Sequence, residues 1–402
     1  MALIFVFNVP ARGHINPTLP WVRELVERGH AIRYYASHEY AAAITATGAD
    51  FRAYQPDTGQ LVPPENLLWL ASLLLVMTER WLPSLLADVA QERPDVIIHD
   101  SLAPWGRALA QICSIPAINS TSTFAINSQT VATSPQFLLQ FAAMLLPGLP
   151  ATIRSLAVAW RLRARYGLRG LGVVDVFSNT APTNIVYTTR EFQPRGEHFD
   201  DSWQFVGPSL PANTDTPLPL QRDDRPLLYV SLGTIFNNQL AFFQRCIQAF
   251  GNGPFQVLIA TGQQIEIEAL GELPANVTVQ RFVPQVTVLR QAALFITHGG
   301  MNSVHEGLSA GVPMLVVPQS PEQLLVAEQV AASGAGLLLM PRAATVTQLR
   351  SGIQQLQAPS YRKAAGRLGD SMRAAGGYHR AADLIEATVR ASQPTNSTHY
   401  PA

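Results

Sequence analysis

The sequence predicts an α/β fold in which two doubly wound parallel-sheet domains face each other across a cleft, and three observations carry that prediction. Short apolar runs of strand length alternate with runs of helical period. The alternation starts again after residue 225. Between the two series lies GPSLPANTDTPLPLQRDDRP, residues 207 to 226, crowded with Pro, Asp, Thr and Asn and without periodicity. A chain of 402 residues can bury a core in each of two such domains. The expected division is 1–207, a linker over 208–225, and 226–391 with room for its last helix to pack back on the first domain. The closing SQPTNSTHYPA, 392–402, reads as a disordered tail.

The elements follow in order. Leu3 to Phe7 is apolar throughout, as a strand buried on both faces should be. A helix over about Pro17 to Arg28 ends at Gly29, and Ala31 to Ala36 forms the next strand. PDVIIHD (94–100) and IPAIN (115–119) are strands separated by a helix. In the second half, PLLYVSLGT (226–234) is a strand and turn, 238–250 a helix, and FQVLIATG (255–262) and NVTVQRF (276–282) strands. ALFITHGG (293–300) is a strand and turn leading into a helix over about 302–310, and VPMLVVP (312–318) another strand.

Composition excludes several function classes. Lys plus Arg equals Asp plus Glu at 28 each, and charged residues are only 14% of the chain, so no long-range field favours nucleic acid or anionic membrane. Low charge with 47% hydrophobic residues points to large cores or a pocket for a lipophilic ligand. Cys113 and Cys246 lie far apart with no pairing or metal-ligand spacing, which suits a reduced, cytoplasmic protein. The amino terminus has no basic flank and is broken by Asn8, Pro10, Arg12 and Gly13, so a signal peptide is not expected. LLWLASLLLVM (67–77) is shorter than the roughly 18 to 20 residues of a membrane span. It reads as a buried or pocket-lining helix, and no transmembrane segment is expected.

Ligands of open α/β sheets bind beyond the carboxyl ends of the strands, and the notable polar groups sit there. His14 follows the first strand in NVPARGHINP, and Asp100 ends PDVIIHD. Ser231, Gly233 and Thr234 follow LLYV, and His298, Gly299 and Gly300 follow ALFIT. Around the last junction, glycines let backbone N–H groups approach a ligand, and the next helix aims its positive end at the same place. Asn302, Ser303 and His298 add side-chain donors, which makes a phosphate or diphosphate site. Glu306, one turn after Asn302, is placed to accept from ribose hydroxyls. A capping box, Ser303-x-x-Glu306, explains the same residues without a ligand. The spacing is neither G-x-G-x-x-G nor a P-loop. GLSAG (307–311) matches a nucleophile elbow, but Ser309 falls near the end of a helix rather than after a strand.

The run RFVPQVTVLRQAALFITHGGMNSVHEGLSAGVPMLVVPQSPEQLLVAEQV (281–330) resembles the donor-binding signature of family 1 UDP-dependent glycosyltransferases. NVPARGHINPTLPWVRELVERGHAIRYYAS, PDVIIHDS and VSLGTIFNNQLAFFQRCIQAF resemble, in the same order, segments of the bacterial macrolide type. The resemblance implies the GT-B fold, with the acceptor in the first domain and a nucleotide sugar in the second.

It also implies roles. Phe282 stands where the base-stacking aromatic is usually Trp; Val283 meets the uracil through its backbone, and Gln285 contacts the nucleoside. His298, Asn302 and Ser303, with Gly300, match the diphosphate ligands, and Glu306 the ribose acceptor. Glu322 and Gln323 match the pair that holds sugar hydroxyls, while Ser231, Gly233 and Thr234 border the phosphates. His14 matches the general base and Asp100 its partner. Asp100 alone could equally cap a helix, and a lone loop histidine is more often structural.

Val326 and Met301 depart from the Asn and Trp of many relatives without removing a catalytic group. The implied partners are a UDP-sugar co-substrate, glucose first, and a hydrophobic hydroxylated acceptor such as a macrolide, polyketide, flavonoid or other phenol. The implied chemistry is inverting and needs no cofactor and no metal. A dTDP-deoxysugar donor is the alternative. A non-catalytic helper is disfavoured because His14, Asp100, His298 and Glu306 are all present. Segments 61–82 and 124–170, rich in Leu, Phe, Trp, Ala and Met, line the acceptor pocket in relatives, although apolar helical stripes are more commonly core.

Overall fold

The computed structural model describes residues 1–59, 66–126, 142–172, 175–210, 217–218, 220, 223–233 and 238–392. Thr234, half of the expected linker and nearly all of the expected tail lie outside them. Among the described residues the chain forms two sheets. The first contains β1 (Leu3–Phe7), β2 (Ala31–Ala36), β3 (Asp50–Ala53), β4 (Val96–Asp100), β5 (Ala117–Thr121), β6 (Thr183–Val186) and β7 (Trp203–Phe205), in the order β3-β2-β1-β4-β5-β6-β7. The second contains β8 (Leu227–Ser231), β9 (Gln256–Ala260), β10 (Val277–Gln280), β11 (Ala292–Thr297), β12 (Met314–Val316) and β13 (Gly336–Leu338), in the order β10-β9-β8-β11-β12-β13. Every strand pair is parallel, with Val6 opposite Tyr34 and Ile98 in the first sheet and Ile296 between Val230 and Leu315 in the second.

The helices are α1 (Arg12–Ile15), α2 (Leu19–Glu27), α3 (Ala41–Thr45), α4 (Leu67–Glu92), α5 (Pro104–Cys113), α6 (Leu149–Tyr166), α7 (Asp175–Ser178), α8 (Leu240–Phe250), α9 (Gln285–Leu289), α10 (Met301–Ser309), α11 (Pro321–Ala332), α12 (Val346–Leu356), α13 (Pro359–Ala374) and α14 (Gly377–Ser392). They cover both faces of each sheet, which lets the central strands be apolar throughout. β1, β8 and β9 show this pattern, with almost every side chain buried.

Two helices tie the fold together. α14 lays Ala381, Ala382, Ile385 and Val389 into the same apolar layer as Trp21, Val22 and Leu25 of α2, so the last described helix rests on the first sheet. Arg28 fastens it through Asp383 at 2.7 Å and Glu386 at 3.1 Å. α4 continues well past the apolar run that predicted it, its start capped by Asn66, whose side chain accepts from Leu68 N at 2.9 Å. Among the described residues it alone is long and apolar enough to cross a membrane. Its Leu74, Leu75, Trp81 and Leu85 are buried in the first core together with Trp105 and Leu109 of α5 and Val158 and Leu162 of α6, which makes it a core helix of this fold.

Candidate active site

The first half of the site is built by the carboxyl ends of β1, β4 and β5. Beyond β1 the chain makes the single turn of α1, which holds His14 in helix rather than open loop. β4 delivers Asp100 as its last residue. His14 Nδ1 lies 2.9 Å from Asp100 Oδ2 and 3.1 Å from Oδ1; a carboxylate only accepts, so Nδ1 donates and Nε2 is left as the acceptor. Ser122, just past β5, places its Oγ 2.9 Å from the same Nδ1.

Asp100 is itself held, since its Oδ1 accepts from Leu102 N at 2.8 Å and its carbonyl from Asn179 Nδ2 at 2.9 Å. It does not cap a helix: α5 starts after Ala103, with no side-chain cap. The Asp100 side chain is 1% exposed and that of His14 12%. Burial works to lower the imidazole pKa, but the Asp100 charge, its hydrogen bond and the charge of Glu322 outweigh it and leave the pKa raised.

The second half lies at the carboxyl ends of β8 and β11. After β11 the backbone turns at Gly299, whose φ of +85° favours glycine, and α10 begins after Gly300. The N-cap residue is Gly300, with no side-chain cap, so the capping-box reading fails. Ser303 lies inside the helix, and its Oγ accepts from Gln285 Nε2 at 3.1 Å. An uncapped first turn presents N–H groups and a positive dipole end to an anion. Asn302 reaches across the cleft and donates from Nδ2 to Gly13 O at 3.2 Å, next to His14.

His298 is packed between two glycines. A Cβ on Gly233 would come within 2.6 Å of its ring, and one on Gly300 would overlap its Nε2. Burial lowers its pKa to about 4, against a smaller pull from the Ser231 backbone, so the ring is neutral at pH 7. Among the described residues its buried Nδ1 has no hydrogen-bond partner of good geometry. Glu306 accepts from Gln285 Nε2 at 2.7 Å, and Gln285 Oε1 in turn accepts from the Tyr229 hydroxyl at 2.9 Å. Burial pushes the Glu306 carboxyl up to about 7, with the Gln285 bond opposing. Phe282 stands 54% exposed beside half-buried Val283, with its ring available to stack.

α11 brings Glu322 and Gln323 in its first turn, behind Ser320, whose side chain accepts from Gln323 N. Gln323 Oε1 accepts from Gln319 N at 2.7 Å. Glu322 is exposed at the surface of the cleft; the crowding of residues around it raises its carboxyl pKa, while the His14 charge pulls it down. Ser231 is buried at the end of β8, and Gly233 N donates to its Oγ at 3.3 Å.

Met301 and Val326, the two departures, are core residues. Ser309 ends a helix with its hydroxyl 4.0 Å from the Met372 thioether, which removes the hydrolase reading. Ser122, Tyr229 and Asn179 escaped the sequence reading. Only Ser122 had a usable signal, its place beyond a strand end in NSTST.

Residues 253–385 match the family model described as Erythromycin biosynthesis protein CIII-like, C-terminal domain. Over 397 residues the chain is 36% identical to NDP-glycosyltransferase YjiC of Bacillus licheniformis, a match that covers 96% of this chain and 97% of that protein. The chain belongs to the macrolide-type family 1 glycosyltransferases. This glycosyltransferase is also 36% identical over 403 residues to demethyllactenocin mycarosyltransferase of Streptomyces fradiae, covering 96% of this chain and 86% of the relative. The solved glycosyltransferase of kitacinnamycin superposes with a TM-score of 0.83 at 32% identity, covering 96% and 98% of the two chains. The two-sheet arrangement is thus the GT-B fold.

Proposed function

We propose that this glycosyltransferase moves a hexose, with glucose the first choice, from a UDP-sugar to a hydroxyl of a hydrophobic small molecule, with inversion and without a bound metal. The observation that carries the reading is the His14–Asp100 pair, 2.9 Å apart, set beside the uncapped start of α10, where Asn302 bonds to Gly13. A base on one domain and an anion site on the other then flank a single reacting carbon.

The acceptor oxygen attacks the anomeric carbon and its proton passes to His14 Nε2. The bond from that carbon to the diphosphate oxygen breaks, and UDP leaves with the electron pair. Asp100 stabilises the imidazolium, as a carboxylate does in a Ser-His-Asp triad. Charge growing on the diphosphate meets the first-turn N–H groups of α10, Asn302, Ser303 and neutral His298. Glu306 accepts from the ribose, Glu322 and Gln323 hold sugar hydroxyls, and Phe282 stacks on the base.

A dTDP-deoxysugar is the second reading, favoured by Phe282 in place of the usual Trp and by a relative named for mycarosyl transfer. Incubation with UDP-glucose or a dTDP-deoxyhexose and a panel of lipophilic phenols and macrolides, with and without EDTA, decides between them. Mass spectrometry reads the added hexose, and the anomeric proton coupling reads the β-configuration. No product with either donor, or full turnover by His14→Ala, would sink the mechanism.

A further inference from the structure

α6 is apolar on two opposite faces. Ala151, Ser155, Val158 and Leu162 form the buried face, with Val158 and Leu162 in the first core beside α4. Leu149, Ile153, Leu156 and Trp160 recur at i, i+4, i+7 and i+11, which is one stripe on the other side of the helix. That stripe stands in solvent, exposed by 52%, 61%, 59% and 71%, and Leu146, 82% exposed, extends it. Contiguous exposed apolar surface of this kind marks an interaction site.

The charge around the stripe has one sign. From residue 142 to 172 the chain carries Arg154, Arg161, Arg163, Arg165 and Arg169 and no Asp or Glu. At 100° per residue Arg163 borders the stripe directly on one side, while Arg154, Arg161 and Arg165 lie between the stripe's other edge and the buried face, within reach of it through their long stems. All four are exposed, and Arg161 pairs with Glu79 at 2.6 Å. The chain as a whole is neutral, so this basicity is local to the helix.

We propose that the outer face of α6 is a docking surface for an anionic lipid bilayer. Trp160 and the leucines would enter the boundary between headgroups and acyl chains, and the arginines would pair with lipid phosphates while their stems lie on the apolar layer. A two-fold contact with a second copy fits less well, because it sets the same arginine rim against itself. The assignment is independent of which donor or acceptor the enzyme uses.

The full chain is to be sedimented with vesicles of phosphatidylcholine alone and of phosphatidylcholine with phosphatidylglycerol. The expected result is about tenfold more protein on the anionic vesicles, lost at high salt as surface electrostatics are screened. Ile153→Ser with Trp160→Ser should reduce binding to the neutral-vesicle background, as should Arg163→Glu with Arg165→Glu. Both pairs are exposed and should unfold at the wild-type temperature, which separates lost binding from lost folding. No sedimentation with either vesicle, equal sedimentation with both, or a dimer in light scattering that Ile153→Ser with Trp160→Ser dissolves would overturn the proposal.

Discussion

Glu306→Gln should make the protein more stable at alkaline pH and a worse enzyme, and both effects follow from one buried carboxyl. In the folded protein Glu306 titrates at about 7 against an ordinary 4.5. Between those values the native state holds a proton that the unfolded chain has released, so stability falls as pH rises from about 4.5 to 7 and stays low above. At about 1.4 kcal/mol per pH unit the cost approaches an upper bound of about 3 kcal/mol. Gln can still accept from Gln285 Nε2, now 2.7 Å from Oε2 of Glu306, so the substitution removes the charge and keeps the bond. Burying the amide returns part of the gain, leaving about 1 to 3 kcal/mol at pH 8, or roughly 3 to 10 °C for the second domain. Scanning calorimetry of wild type and variant at pH 5 and pH 8 isolates this group, because every other titration cancels in the difference. The donor KM should rise about 10- to 100-fold, the range for losing a charged hydrogen bond to the ribose. A variant that gains no more at pH 8 than at pH 5, or that uses donor as well as wild type, would refute the assignment of Glu306 as a strained binding group.

Asp100→Asn should lower kcat by about 10²- to 10⁴-fold with little change in donor affinity, because an amide NH₂ facing His14 Nδ1 forces the proton onto Nε2. The pH profile gives a second readout. The His14 pKa is raised in the wild type, and its base must be neutral, so the acid limb of kcat should move to lower pH when Asp100 is neutralised. His298→Ala should raise the UDP inhibition constant about tenfold or more, whereas His14→Ala should abolish turnover with UDP binding intact, as read by titration calorimetry. Gly300→Ala should impair UDP binding like His298→Ala, because its Cβ would overlap the imidazole; UDP binding at wild-type strength would show that the ring is free to move.

Long-range order was legible where burial on both faces makes strands continuously apolar. LIFVF, VIIHD and QVLIA needed no tertiary information to be read as central strands. β3, β6, β7 and β13 are short and mostly half-buried or polar, so the apolar signal fades at the sheet edges. The strand-end rule put His14, Asp100 and His298 at or just beyond the carboxyl ends of their strands, which topology alone fixes. It could not find Tyr229, which reads as a core strand residue and is stacked on Phe295 at 4.9 Å, yet turns its hydroxyl to Gln285. Nor could it settle between cap and ligand at Ser303. That question depended on where the helix starts, and the three residues between Gly300 and Ser303 as the N-cap lie within the margin of a boundary drawn from sequence.

The two halves must also hold register, since a base on one domain and a donor on the other are useful only at bonding distance. α10, whose start is the proposed anion site, also supplies that register. Asn302 bonds Gly13 O at 3.2 Å beside the base, and one turn on His305 Nε2 lies 3.0 Å from Thr188 Oγ1 with the Phe192 ring against its imidazole. Burial drives the His305 pKa down to about 3, so this ring stays neutral across the whole working range. A neutral contact neither gains nor loses charge with pH, so this contact between the halves does not itself loosen as pH changes. The pH dependence of turnover is then expected from His14, Glu306 and the Glu322 that faces His14, and not from the His305 contact. His305→Gln, which keeps a hydrogen bond to Thr188 without a titrating ring, should leave the shape of the pH–rate profile unchanged; a shifted limb would show that domain docking, and not the base, titrates.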